Sequence, residues 1–181
     1  MENIITLHDL SFEPYISENQ IKDAVKELAK KINSEFGGEE LHIVSALTGS
    51  FIFTADLVRE LEMPCQIHFV KVSSYHGGTS STGTIRLETD IQLDFSNKNV
   101  LITEDIVDTG LTASFLFELI KNKGAKNIKL ATLLYKPEAY KQALNIDFVG
   151  FSIPNEFVVG YGLDYKEIGR NINAIYKLKQ S

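Results

Sequence analysis

Glu104, Asp105 and Asp108 fall within five residues of one another in the stretch "VLITEDIVDTGLT", Val100 to Thr112. Carboxylates this close repel, so they persist because water solvates them or because a cationic or proton-bearing group sits among them. The residues that follow have the opposite character. Thr109, Gly110, Leu111 and Thr112 offer backbone amides at the start of a helix-like apolar run. Unpaired N–H groups and the helix dipole there favour an anion, phosphate above all. The hydroxyls of Thr109 and Thr112 add donors, and Gly110 allows the backbone a tight path. No GxxxxGK[ST] loop is present, so this is not a Walker site. A ribose 5-phosphate, with its phosphate at one end and vicinal hydroxyls at the other, satisfies both halves. Glu104 and Asp105 would accept hydrogen bonds from the ribose hydroxyls or hold Mg²⁺, a hard cation that prefers oxygen. Asp108 would stand near the anomeric carbon.

The flanking sequence must position this turn. "NVLIT" (99–103) reads as a short buried strand and "LTASFLFELIKNKG" (111–124) as a helix ending at Gly124, which makes "EDIVDTG" a strand-to-helix turn. Upstream, Ile21, Val25, Leu28 and Ile32 share one face of a helix from Ser17 to Phe36, with Ser17 as N-cap and Gly37–Gly38 as the stop. "LHIVSAL" (41–47), "QIHFVKVSS" (66–74), "IKLATLLY" (128–135) and "IDFVGFSI" (146–153) read as strands; "FIFTADLVRELE" (51–62) reads as a helix ended by Met63 and Pro64. "SSYHGGTSSTG" (73–83) is nearly free of apolar residues and reads as a mobile loop, after which "TIRLETDIQL" (84–93) returns as a ribbon strand. Apolar strands alternating with helices predict an α/β fold, Rossmann-like, with a mainly parallel sheet flanked by helices. Ligands bind such sheets beyond the carboxyl ends of the strands, where several of these residues fall.

Composition bounds the rest. The 181 residues suit one domain with a sizeable core, and the net charge of −6 argues against a general nucleic-acid binder. Cys65 is the one cysteine, which excludes an intrachain disulfide or a cysteine cluster and suits a reducing cytoplasm. "MENIITLHDL" lacks the features of a secretory signal, and no run approaches the ~18 apolar residues of a membrane span. A soluble cytoplasmic protein without membrane partners is expected. His8, His42, His68 and His76 have no metal-site spacing, and Cys65 reads as a packing residue.

"VLITEDIVDTGLT" closely resembles the phosphoribosyl diphosphate (PRPP) signature of type I phosphoribosyltransferases. "IPNEFVVGYGLDY" (153–165) resembles the purine-binding hood of the hypoxanthine–guanine members, "SSYHGGTSSTGTIRL" (73–87) their flexible loop, and "LLYKP" (133–137) the strand end with their purine-reading lysine. The resemblance runs in order from about Leu41 to Arg170. It implies one domain over 1–181, with a core at about 15–150, a small hood from 1–14 and 151–181, and a β-ribbon lid. It further implies transfer of the phosphoribosyl group from PRPP to a 6-oxopurine, Mg²⁺ as cofactor, and a homodimer or homotetramer.

By the same resemblance, Glu104 and Asp105 sit by the ribose hydroxyls, directly or through water and Mg²⁺, and Asp108 is the general base facing the purine N7 proton. Lys136 reads the purine O6, since an ammonium group has donors only and clashes with the amino group of adenine. Phe157 stacks on the purine, and the Val158 backbone meets the base edge. Asp164 ligates a second Mg²⁺, and Arg170 holds pyrophosphate. Thr48, Gly49 and Ser50 occupy the pyrophosphate loop, with Thr48 where the family usually has a basic residue; Glu156 likewise stands where one is frequent. Ser74 and Tyr75 match lid residues that close over PRPP. Two other readings compete. A regulator that kept the PRPP site should lack the base, the lysine or the lid and carry a basic face. A phosphoacceptor receiver domain should carry its paired acids near the start of the chain, whereas here they lie past the middle.

Overall fold

The computed structural model describes residues 3–75, 84–88 and 94–180. Among the described residues, a six-stranded sheet runs in the order β5-β4-β3-β6-β7-β8, from Thr84–Leu87 (β5), Cys65–Tyr75 (β4), Leu41–Leu47 (β3), Asn99–Val107 (β6), Asn127–Tyr135 (β7) and Phe148–Ser152 (β8). All neighbours are parallel except β4–β5. The α/β fold expected from the strand–helix alternation is therefore the observed one.

Alternation along β3 and β6 explains why both faces are covered. Leu41, Ile43 and Leu101 point to one face, where they pack with Ile21, Val25, Leu28 and Ile32 of α1 (Glu18–Phe36) and with Phe53 and Leu57 of α2 (Phe51–Arg59). Val44, Ala46, Val100 and Ile102 point to the other, beneath Ala113, Leu116 and Ile120 of α3 (Leu111–Asn122). Burial on both sides is why these strands read as continuous apolar runs. Helix α1 starts where the sequence indicates. Ser17 and Gln20 form a reciprocal capping box, and Gly37 ends the helix in the left-handed region at φ 55°.

A second sheet pairs the two ends of the chain, in the order β1-β2-β10-β9: Ile5–Leu7 (β1), Leu10–Ile16 (β2), Ile175–Leu178 (β10) and Val158–Val159 (β9). It is antiparallel throughout, with a register shift at Ile175–Tyr176 opposite Pro14, which has no N–H to give the ladder. None of its strands was foreseen individually: β1, β9 and β10 have two to four residues, and β2, though as long as β3, carries Pro14 and lacks a clean alternation. Among the described residues no helix is long and apolar enough to cross a membrane. Of the ribbon expected after Ser73, the backbone of β4 through Tyr75 and of β5 is described. Residues 76–83, including His76, and 89–93 lie outside the described residues.

Candidate active site

The site lies at the carboxyl ends of β3, β6 and β7. Strand β6 runs through Val107, four residues beyond the expected "NVLIT", so Glu104 and Asp105 are strand residues and the turn shrinks to Asp108–Gly110. Successive strand side chains leave opposite faces. Thr103 faces α2, with its hydroxyl bonded to Thr54, and Asp105 follows it onto the loop after β3. Glu104 goes to the other side, where its charge is felt by Tyr140. The two acids thus flank the strand end and do not stand side by side.

Asp105 rests on Gly49. A Cβ at residue 49 would overlap the carboxylate, so only glycine admits it there. Gly162, at φ +100°, packs on the Gly49 carbonyl, and an added Cβ there would come to 2.0 Å of the oxygen. The Leu47–Thr48 peptide is cis, and Thr48 is exposed. Ser50 is buried, and its hydroxyl donates to the Ala46 carbonyl at 2.6 Å. What Ser50 can offer a ligand is its backbone N–H.

Arg170 enters beside them. Its guanidinium donates to the Gly162 carbonyl at 2.9 Å and pairs with Asp164 Oδ1 at 2.8 Å, while Asp164 Oδ2 accepts the Glu167 N–H at 2.8 Å. Burial pushes the Asp105 carboxyl up to about 6, against the pull of backbone N–H groups and of Arg170. Burial, and secondarily the charge of Asp105, pushes Glu104 up to about 8. Glu104 Oε1 is buried without a hydrogen-bond partner. Such a group calls for a donor or a cation.

On the other side of the mouth, Lys136 follows β7 directly, and its N–H is tied to the Val107 carbonyl at 3.0 Å. That tether brings Lys136 Nζ to 3.1 Å from Asp108 Oδ2 and 3.4 Å from Asn155 Oδ1. Lys136 is buried, while the Asp108 side chain is 45% exposed, so a donor and an acceptor stand together with the acceptor open to the mouth. Gly110 caps α3 at φ 77°, where any side chain would overlap the Tyr140 ring. The amides of Leu111 and Thr112 then start the helix without intrahelical acceptors. Phe157 is 43% exposed, its ring backed by Phe12 at 6.0 Å and Tyr165 at 5.8 Å, and Val158 is buried in β9. Ser74 and Tyr75 lie at the end of β4, paired with Ile85 and Thr84.

Four residues of this region escaped the sequence reading. Asn155 touches Lys136 but sits in an exposed turn with no pattern to mark it. Ser45, Thr54 and Thr103 form a buried hydroxyl chain. The detectable signal was a hydroxyl in each of two apolar strands that should be dry, at positions that turn out to be direct neighbours, Ser45 and Thr103.

Comparison with known proteins meets this geometry. The model of the phosphoribosyl transferase domain matches residues 16–166. A hypoxanthine-guanine phosphoribosyltransferase of Aquifex aeolicus is 44% identical over 165 residues, 91% of this chain and 93% of that one. Its counterpart from Streptococcus pneumoniae is 42% identical over 165 residues, 91% of this chain and 92% of the relative. A crystal structure of a hypoxanthine-guanine phosphoribosyltransferase from Bacillus anthracis superposes with a TM-score of 0.86 at 44% identity, covering 91% of this chain and 96% of that one. The acidic strand end, the amide-rich start of α3 and the fold that joins them therefore have one common explanation: the chain belongs to the phosphoribosyl transferase family.

Proposed function

We propose that the protein is a purine-salvage enzyme that transfers the 5-phosphoribosyl group of PRPP to N9 of hypoxanthine or guanine, giving the nucleoside monophosphate and pyrophosphate. The observation that carries this reading is the Lys136–Asp108 pair. On a 6-oxopurine the O6 acceptor and the N7–H donor are neighbours on one edge. An ammonium beside a carboxylate complements that edge, whereas the 6-amino group of adenine would face donors with a donor.

In the reaction the N9–C1′ bond forms and the bond from C1′ to the pyrophosphate oxygen breaks. Asp108 takes the N7 proton, and Lys136 holds O6. Phe157 packs on the purine face, and the edge of β9 at Val158 meets the base. The amides of Gly110, Leu111 and Thr112, with the hydroxyls of Thr109 and Thr112, bind the 5-phosphate. Positive charge grows on the sugar in the transition state; the Asp105 carboxylate beside the ribose stabilises it, and Glu104 would join it once a cation held there draws off its proton. The Gly49 and Ser50 amides and Arg170 receive the departing pyrophosphate. Thr48 adds no charge to this loop. Ser74 and Tyr75 begin the ribbon that would shield the site from water.

The carboxylates fit Mg²⁺ in a particular way. Glu104 Oε1 is a buried oxygen without a partner, and Asp105 is half-buried at the mouth, but both oxygens of Asp164 are engaged by Arg170 and Glu167. Among the described residues no cluster of three or more His, Cys, Asp or Glu could hold a metal by itself. Glu104 and Asp105 would meet one ion through water, and Asp164, whose oxygens are already engaged, a second, with substrate oxygens supplying most of the ligands. Bound there, Mg²⁺ would neutralise charge gathering on the pyrophosphate. A cytoplasmic homo-oligomer, dimer or tetramer, completes the reading.

The deciding assay offers hypoxanthine, guanine, xanthine and adenine in parallel with PRPP and Mg²⁺. Nucleotide is expected from the 6-oxopurines and not from adenine. No nucleotide from any base, in protein that still binds PRPP, would replace the enzyme by a PRPP-binding regulator.

A further inference from the structure

Beneath the mouth, four buried hydroxyls stand in line. Thr103 Oγ1 lies 2.8 Å from Thr54 Oγ1, Thr54 Oγ1 lies 2.8 Å from Ser45 Oγ, and Ser45 Oγ lies 2.7 Å from Ser50 Oγ. Ser50 then donates to the Ala46 carbonyl. None of the four residues is more than 1% exposed.

Each hydroxyl has a single proton. Ser50 commits its proton to a carbonyl, which can only accept, so Ser45 must donate to Ser50. Thr54 must then donate to Ser45, and Thr103 to Thr54. The last link sets the direction of the whole chain. Hydrogen bonds in such a run polarise one another, and removing a member leaves buried groups unpaired.

The chain joins three elements that meet at the mouth. Thr103 precedes Glu104 and Asp105 in β6, Thr54 lies in α2, and Ser45 and Ser50 bracket the cis peptide and Gly49, on which Asp105 rests. Packing between α2 and the sheet is already supplied by Phe53 and Leu57, both fully buried. Four hydroxyls in the same layer must each be desolvated, a cost that packing does not require.

We propose that Thr54, with Ser45 and Thr103, is a positioning device that holds the 48–50 loop in register with Asp105, so that the loop amides and the carboxylate meet the two ends of one diphosphate-bearing sugar. The proposal rests on the functional reading above. It also assigns Ser50 its part: the hydroxyl ends the chain, and the ligand meets the N–H.

Thr54→Val keeps the shape and removes the hydroxyl, and Thr54→Ser keeps the hydroxyl. Thr54→Val should raise the KM for PRPP and the inhibition constant of pyrophosphate about 2- to 10-fold, the worth of one net hydrogen bond. The KM for purine and kcat should hold, and Thr54→Ser should restore wild-type values. Amide exchange in Thr54→Val should quicken at residues 48–50 and 104–105 and not across the sheet. Thr103→Val removes the gentler, terminal link, should show the same pattern, and serves if Thr54→Val does not fold. A lowered Tm with unchanged PRPP and pyrophosphate constants would overturn the proposal, as would failure of Thr54→Ser to restore them. If the wild type makes no nucleotide, the functional reading falls, and the exchange pattern alone decides whether the chain holds the loop.

Discussion

Lys136 is bonded to the carboxylate proposed as the base, so in the proposed reaction the two residues would read the purine edge jointly. Asp108→Asn keeps the shape and removes the proton acceptor. It should lower kcat about 10²- to 10⁴-fold, the usual worth of a placed carboxylate, with the KM for PRPP little changed. Steady-state kinetics at saturating PRPP measures this, and unchanged turnover would take Asp108 out of the role of base. Lys136→Gln should weaken purine binding more than PRPP binding; calorimetry with the order reversed would reassign the lysine. The residue types and the spacing of Glu104, Asp105 and Asp108 were legible in the sequence because the signature is local. The Lys136–Asp108 contact joins residues 28 apart, and only pairing of β6 with β7 creates it.

At the scale of elements, β3 and β4 are stitched together near their starts by two imidazoles. His42 Nδ1 and His68 Nε2 lie 3.1 Å apart, the rings stack at 5.3 Å, and Phe95 meets both edge-on. The sequence placed both in strands but gave no hint that they touch. Burial pushes the His42 pKa below 6.5, helped by Lys98 and opposed by Glu40. Burial also lowers that of His68, with His42 adding to it. At these two imidazoles the unfolded chain therefore takes up protons first as pH falls, so the contribution of the pair to stability is held above about 6.5 and lost progressively below it. Glu104 and Asp105, whose raised values let the folded state bind protons first, act in the opposite direction, so the pair is read by difference: below about pH 6.5 the Tm of His68→Phe should gain on that of the wild type as the solution is acidified. An equal slope in the variant would mean that the pair does not govern acid stability. The length of β6 was the element-level surprise. "TED" does not look like a buried strand, yet while β3 pairs with β6 only as far as Thr103, β7 pairs with it on to Val107 and extends the ladder, overriding local composition.

At the scale of the molecule, the two sheets meet over the site through Gly49 and Gly162. Gly162→Ala would place a methyl against the Gly49 carbonyl at a backbone φ that side chains rarely adopt. The second sheet should shift off the loop, and Arg170, which donates to the Gly162 carbonyl, should move with it. Nucleotide formation should fall at least about tenfold, because small misplacements of this kind remove near-attack geometry. Circular dichroism should meanwhile remain that of a folded α/β protein. Wild-type turnover in Gly162→Ala would show that the contact between the sheets does not set the site. Tyr161, beside it, donates to Asp56 Oδ2 of α2 at 2.7 Å and supplies a second tie across the same boundary.

Local chemistry set much of this protein in the sequence itself. The apolar period of α1 and its Ser17–Gln20 cap, the buried strands and the acid-rich signature before an amide-rich helix start each depend on neighbours within a few residues. Their energetics can be read along the chain. The tertiary structure alone decided how those pieces combine. It sent Glu104 and Asp105 to opposite faces of one strand and turned the Ser50 hydroxyl inward. It also set Asn155 against Lys136 and paired the two chain ends into a sheet whose strands are either very short or, in β2, interrupted by a proline. Each of these depends on contacts between residues distant in sequence, formed only when burial and strand pairing bring them together, and no local pattern encodes which pairs will meet.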